Sequence, residues 1–268
     1  MKFSTDILNR DWSRLSSAAK WLAGALTLAW LVAFVALGYP WTMVGSSLDA
    51  LSYLWMADAL SHGVSRPESA FGAQYLFLSR FPPGYPIYLA AFGAGVDADG
   101  MLRANLAQMT SVIALILMLW VYALRLTRSA LAAWLVLIYT LAQPMMLPWS
   151  LELFSEPLYA ALLLGICLLP SIERLPRAWL WMALLIGFAC LVRSIGLVLI
   201  PALALWLWRT QRSPARALTA SLIAALPMAV WSLVKAMRAT GTEDSYLTQL
   251  RSELANTGNQ WLDLVVAQ

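Results

Sequence analysis

Long apolar runs, almost free of charge, recur between Trp21 and Lys235 and are separated by arginine-bearing turns. In a bilayer every backbone amide must find its partner within the protein, so only helices or a closed barrel can cross. The runs lack the strict alternation of half-buried strands, and several approach the roughly 20 residues a spanning helix needs. The expected spans are 21–39, 104–124, 130–147, 155–170, 178–192, 195–208 and 217–235. Composition agrees: 61% of residues are apolar and 12% charged, with a mean hydropathy of +0.69, against about 25% charged residues in soluble domains. The chain is therefore expected to be an all-α polytopic membrane protein with about seven transmembrane helices.

Two details sharpen this expectation. Residues 178–208 could form one helix, but it would be about 46 Å long with Arg193 near its middle, overshooting a hydrocarbon core of roughly 30 Å. Two helices joined by a tight turn at Arg193 fit better. With the N-terminus inside, the inner segments carry 11 of the 18 basic residues and only three of the 14 acids, Asp6, Asp11 and Glu173. That asymmetry obeys the positive-inside rule and accounts for the net charge of +4 without a nucleic-acid partner. The first run, Trp21 to Leu37, is followed by no good small-residue cleavage site and is expected to be a retained span. Cys167 and Cys190 lie in apolar runs and are expected to be packing residues.

Residues 40–103 form a long outer loop, which places the working face outside. It holds two apolar stretches, one from Asp49 to Gly63 and one from Tyr85 to Gly93. Both have the size expected of amphipathic helices lying in the interface plane. Asp49 opens the first stretch and can be its N-cap, or a catalytic carboxylate, or both. The turn after the third span carries Glu152 and Glu156, which share a face if the turn is helical. Arg80, Arg103 and Arg193 fall on the same outer face. Ionisable groups at a membrane are functional candidates by default, although Arg193 could also snorkel to the headgroups. His62, at the end of the first stretch, suits C-terminal capping or exposure.

Arginines can hold the anionic headgroup of a phosphorylated lipid bidentately. A carboxylate beside them can take a proton from an attacking hydroxyl, or two carboxylates can bind a divalent ion. The order of these features resembles the N-terminal module of the GT-C glycosyltransferases, the group that includes protein O-mannosyltransferases and aminoarabinose transferases. The resembling residues are Asp49-x-x-x-Tyr53-x-x-x-Ala57-x-x-Leu60-x-x-Gly63, Phe81-Pro-Pro-Gly-Tyr85-Pro, Ser150-x-Glu152-x-x-x-Glu156-Pro157 and Leu191-Val-Arg193-Ser-Ile-Gly196.

The resemblance implies transfer of a sugar from an undecaprenyl- or dolichyl-phosphate carrier to an acceptor hydroxyl, with inversion. By that resemblance Asp49 would be the general base, assisted by Glu156. Arg193 and Arg80 would bind the donor phosphate, with Tyr53, Glu152 and Arg103 in support. A divalent ion (Mg, Mn or Zn) would sit at Asp49 and Glu156. The N-terminus would be cytoplasmic and the active face periplasmic, in a bacterial inner membrane. Relatives often carry an adjacent acidic pair in the first loop, whereas here Ala50 follows Asp49, so a second carboxylate must be Glu152, Glu156 or Asp58. They are also usually longer, so residues 1–235 form the expected transmembrane module and 236–268 the start of an outer segment. An additional subunit or a missing C-terminal half would complete the acceptor site. Two other readings remain open: a non-catalytic lipid-phosphate-binding subunit, and a transporter, against which no internal repeat is found.

Overall fold

The computed structural model describes residue 32 and residues 48–62, 81–143, 145–171 and 177–238. The first expected span and Arg80 lie outside the described residues, apart from Val32. The described chain is helical, and no strand occurs among the described residues. Its helices are α1 (Leu48–His62), α2 (Gly84–Ala91), α3 (Ala98–Thr127), α4 (Ala130–Leu141), α5 (Met146–Leu151), α6 (Ser155–Leu168), α7 (Ala178–Val192), α8 (Leu199–Gln211) and α9 (Pro214–Arg238).

Among the described residues, three helical stretches are long and apolar enough to cross a membrane: Ala98–Thr127, Ser194–Gln211 and Pro214–Met237. This is a membrane protein. The apolar helices α4, α6 and α7 are shorter. On α9, Leu218, Leu222, Leu226 and Leu233 are exposed while Ala217, Ala220 and Ala224 are buried. That three-to-four-residue alternation puts large apolar side chains toward lipid and small ones toward the neighbouring helices. The small residues allow close approach: a Cβ on Gly187 of α7 would lie 3.0 Å from Pro227 Cγ and 3.2 Å from the Ala224 carbonyl oxygen. Cys190 is buried in the core shared by α6, α7, α8 and α9, but Cys167 is exposed on α6.

The break expected at Arg193 is present. Its backbone is extended, at φ −146° and ψ 132°, between α7 and a 3-10 turn over Ser194–Val198. Gly196 lets this turn fold back on α7, since a Cβ there would come within 2.9 Å of the backbone of Ala189 and Cys190. Two expectations need correction. The third span is divided: α4 ends at Leu141 and α5 begins at Met146, as suits a chain with Pro144, which cannot donate a helical hydrogen bond. The second concerns the outer loop. Instead of presenting one buried face, α1 buries Ser52, Tyr53 and Leu54, and then Met56, Ala57 and Asp58, with Trp55 partly buried between them.

Aromatic packing and one close backbone contact dock the loop helices. Tyr53 lies 5.0 Å from Phe81 and meets Tyr85 edge-on at 4.8 Å between ring centroids, tying α1 to α2. Tyr85 is fully buried and donates its hydroxyl proton to Gln108 Oε1 on α3 at 2.5 Å. Gly84 sits against the end of α7, where a Cβ would fall 2.5 to 2.7 Å from backbone atoms of Leu191 and Val192. Those atoms cannot swing aside. Gly84→Ala should therefore destabilise the protein by about 1–3 kcal/mol in a melt of the detergent-solubilised chain. Gly165→Ala is the control: nothing lies within 4 Å of its Cβ position, and helix propensity should add about 0.5–1 kcal/mol of stability. Equal behaviour of the two variants would refute the close contact.

Candidate functional site

The end of α7 and the start of α6 meet beneath the first turns of α1. Because Arg193 terminates α7 in extended conformation, its side chain can reach the first turn of α6 instead of following the helix. Its Nη1 forms an ion pair with Glu156 Oε1 and donates a 3.4 Å hydrogen bond to Ser155 Oγ. Tyr53 donates its hydroxyl to the same Ser155 oxygen, also at 3.4 Å. Asp49 stands one helical turn before Tyr53 on α1, a spacing that shares a face, and its charge acts on the Tyr53 hydroxyl together with those of Glu156 and Arg193. Asp49, Tyr53, Glu156 and Arg193 thus form one cluster, drawn from three helices.

The other expected residues fall elsewhere or on different terms. Glu152 does not share a helical face with Glu156. α5 ends at Leu151 and α6 starts at Ser155, leaving Glu152 half-buried on the bend between them. Arg103 is exposed on α3 and faces Gly93 across the loop, its Nη1 lying 3.1 Å from where a Cβ on that glycine would stand. Asp49 lies inside the first turn of α1, which begins at Leu48, and not at the cap position. Asp58 is buried and committed to structure: its Oδ1 accepts from the Val96 N–H at 3.3 Å and lies 3.2 Å from His62 Nδ1. Sequence reasoning passed over Ser155, which stands between the two motif acids and joins Tyr53 to Arg193. It also missed Gln108, which accepts from Tyr85 and donates to the Trp149 carbonyl. Both are uncharged polar residues in apolar surroundings, and only the fold shows that they are buried and hydrogen-bonded.

The side chains of Arg193 and Glu156 are 36% and 41% exposed, so the cluster is open to a ligand. An apolar groove of about 340 Å³ lies where α2, α7 and α9 meet, lined by Pro83, Ile87, Leu191, Leu226, Val230 and Trp231. A divalent ion would draw on Asp49 and Glu156. Among the described residues no group of three or more His, Cys, Asp and Glu side chains is arranged to hold a metal. No family model, curated protein or solved structure matches the chain. Geometry alone carries the functional reading.

Burial, the largest cause, raises the Tyr53 phenol above its ordinary pKa. The Ser155 hydrogen bond opposes it, the Asp49 and Glu156 carboxylates add to it, and Arg193 opposes it. Tyr85 is raised well above the usual value by burial first, and burial pushes Tyr88 up to about 12. In the unfolded chain these phenols ionise near pH 10. The stability held by the neutral folded forms is therefore intact below about pH 10 and is lost as pH rises through their folded values. Between pH 9 and 11, Tyr53→Phe should lose stability to denaturant less steeply than the parent protein. Parallel slopes would show that Tyr53 titrates normally.

Proposed function

We propose that this chain is a membrane glycosyltransferase of the GT-C type, taking a sugar from a polyprenyl-phosphate carrier at the outer face of the membrane. The observation that carries the reading is the Asp49–Tyr53–Ser155–Glu156–Arg193 cluster, with its partly exposed guanidinium and carboxylate. In this reading a phosphate headgroup meets the guanidinium. The topology is seven spans with the N-terminus inside: 21–39, α3, α4 with α5, α6, α7, the Ser194–Gln211 stretch and α9. The active face is then periplasmic in a bacterial inner membrane, and Arg125, Arg128, Arg177, Arg209 and Arg212 lie on the opposite side.

In this mechanism the Asp49 carboxylate accepts the proton of the acceptor hydroxyl. The acceptor oxygen forms a bond to the anomeric carbon from the face opposite the phosphate. The anomeric carbon–oxygen bond breaks with its electron pair on the phosphate oxygen, and the sugar configuration inverts. Arg193 stabilises the negative charge that gathers on the departing lipid phosphate, and Glu156 holds Arg193 in place. A metal-assisted version would instead place the divalent ion at Asp49 and Glu156.

Proteoliposomes supplied with a polyprenyl-phosphate sugar and acceptor test the assignment. Asp49→Asn should lower turnover by about 10²–10⁴-fold, the usual contribution of a general base, with folding and insertion unchanged. Near-normal turnover would sink the role of Asp49. Chelator sensitivity separates the metal-assisted version from the metal-free one. Phosphate-lipid binding by the wild-type chain without turnover would assign it as the lipid-binding subunit of a glycosylation complex.

A further inference from the structure

Among the described residues, the end of the helix bundle far from Arg193 carries cations and no acid. Arg177 precedes α7 and lies about 24 Å from Arg193 along that helix. α9 runs parallel to α7: Gly187 faces Ala224 and Pro227, and Leu191, one turn on, shares the groove with Val230. The end of α8 and the start of α9 therefore lie at the Arg177 end. There Arg177, Arg209, Arg212 and Arg216 are all exposed. The described acids lie at the other end: Asp49 and Asp58 on α1, Asp97 and Asp99 where α3 begins, and Glu152 and Glu156 where α6 begins. In the sequence, Glu173 is matched by its neighbour Arg174.

Helix dipoles explain only part of this arrangement. Arg209 and Arg212 end α8, where a cation faces the negative end of the macrodipole. Arg177 and Arg216 stand at the opposite kind of terminus, before α7 and in the first turn of α9, where the dipole disfavours a cation. Arg177 and Arg212 also have left-handed backbone, at φ 56° and 48°, a conformation glycine adopts without steric penalty. An anion outside the chain would account for cations at such positions. Large apolar neighbours indicate its kind. Trp208, beside Arg209, is 64% exposed, Leu218, just after Arg216, is 63% exposed, and Trp181, one turn after Arg177, is exposed as well. Arginine within a turn of exposed Trp and Leu matches a lipid boundary, where phosphate lies next to hydrocarbon. A soluble acidic partner would meet the cations and leave the apolar side chains in water.

We propose that Arg177, Arg209, Arg212 and Arg216 form a binding face for anionic phospholipid headgroups of the phosphatidylglycerol class, so that the protein prefers such lipids to zwitterionic ones. This face is separate from the Arg193 cluster and does not depend on the glycosyltransferase reading.

The test uses the full chain in dodecyl maltoside micelles doped with phosphatidylglycerol or phosphatidylcholine of matched acyl chains. The rise in melting temperature with lipid fraction gives the affinity. Wild type should respond to phosphatidylglycerol far more than to phosphatidylcholine. Arg177→Gly/Arg212→Gly should weaken the phosphatidylglycerol affinity about 25-fold, at about fivefold for each cation near an anionic surface. Without added lipid the same variant should melt no lower than wild type, because glycine relieves two left-handed residues. Arg103→Gln, at the other end of the bundle, should leave the lipid response unchanged. Equal responses to the two lipids overturn the proposal, as does an unchanged phosphatidylglycerol affinity in the glycine variant. A glycine variant that melts well below wild type without lipid shows a structural role and also overturns it. Polyglutamate or glycerol phosphate acting with the same arginine dependence, where phosphatidylglycerol does not, would assign the face to an acidic protein or a free phosphate and overturn it too.

Discussion

An arginine placed between two apolar helices must find a counter-charge or reach water, and Arg193 does both. Its desolvation is limited because the side chain remains about one-third exposed, and its charge is balanced by Glu156. Satisfying that single group brings the end of α7 to the start of α6. The cluster then grows from the same contact, because Ser155 adjoins Glu156 in sequence and takes a hydrogen bond from the same Nη1. Tyr53 adds α1 through Ser155, and Asp49 comes with it one turn earlier.

Backbone proximity makes this meeting possible. Gly84 lets α2 touch Leu191 and Val192, Gly196 lets the 3-10 turn close over Ala189 and Cys190, and Gly187 admits Pro227 of α9. All three contacts engage α7, the helix that ends in Arg193. In lipid, helices gain little by hiding apolar surface from one another, so packing depends on such small residues. Polar links then set the loop helices on that base. Tyr85 and Gln108 connect α2 and α3 with the Trp149 carbonyl on α5, while the aromatic contacts of Tyr53 bind α1 to α2.

The helices themselves were legible because apolar runs bounded by charge mark them one after another. α7 occupies Ala178–Val192, the run between Arg177 and Arg193. A charge ends a membrane segment abruptly. The outer loop was less legible, since water, lipid and protein compete there. α1 looked like an interfacial helix, yet neighbouring chain covers it on several sides, including buried Asp58, which binds the Val96 N–H. The Glu152–Glu156 spacing was misleading for another reason: it presumes one helix, and the chain bends between Leu151 and Ser155. Asp49, Glu156 and Arg193 were identifiable as expensive charges. Ser155 has no charge, and its significance depends on partners distant in sequence.

The strength of the Arg193–Glu156 pair bears on what the site can do. A fully buried pair resists separation, since removing one partner costs about 3–5 kcal/mol. Here both side chains are more than a third exposed, and solvent screening reduces such pairs to about 0–1 kcal/mol. In the proposed reaction an incoming phosphate would therefore share or displace the carboxylate at little cost, particularly by engaging Nη2 and Nε in a bidentate arrangement. On its departure Glu156 would recover the guanidinium. A weak, exposed pair thus suits the proposed turnover: the cation would stay positioned between cycles and remain available within each one.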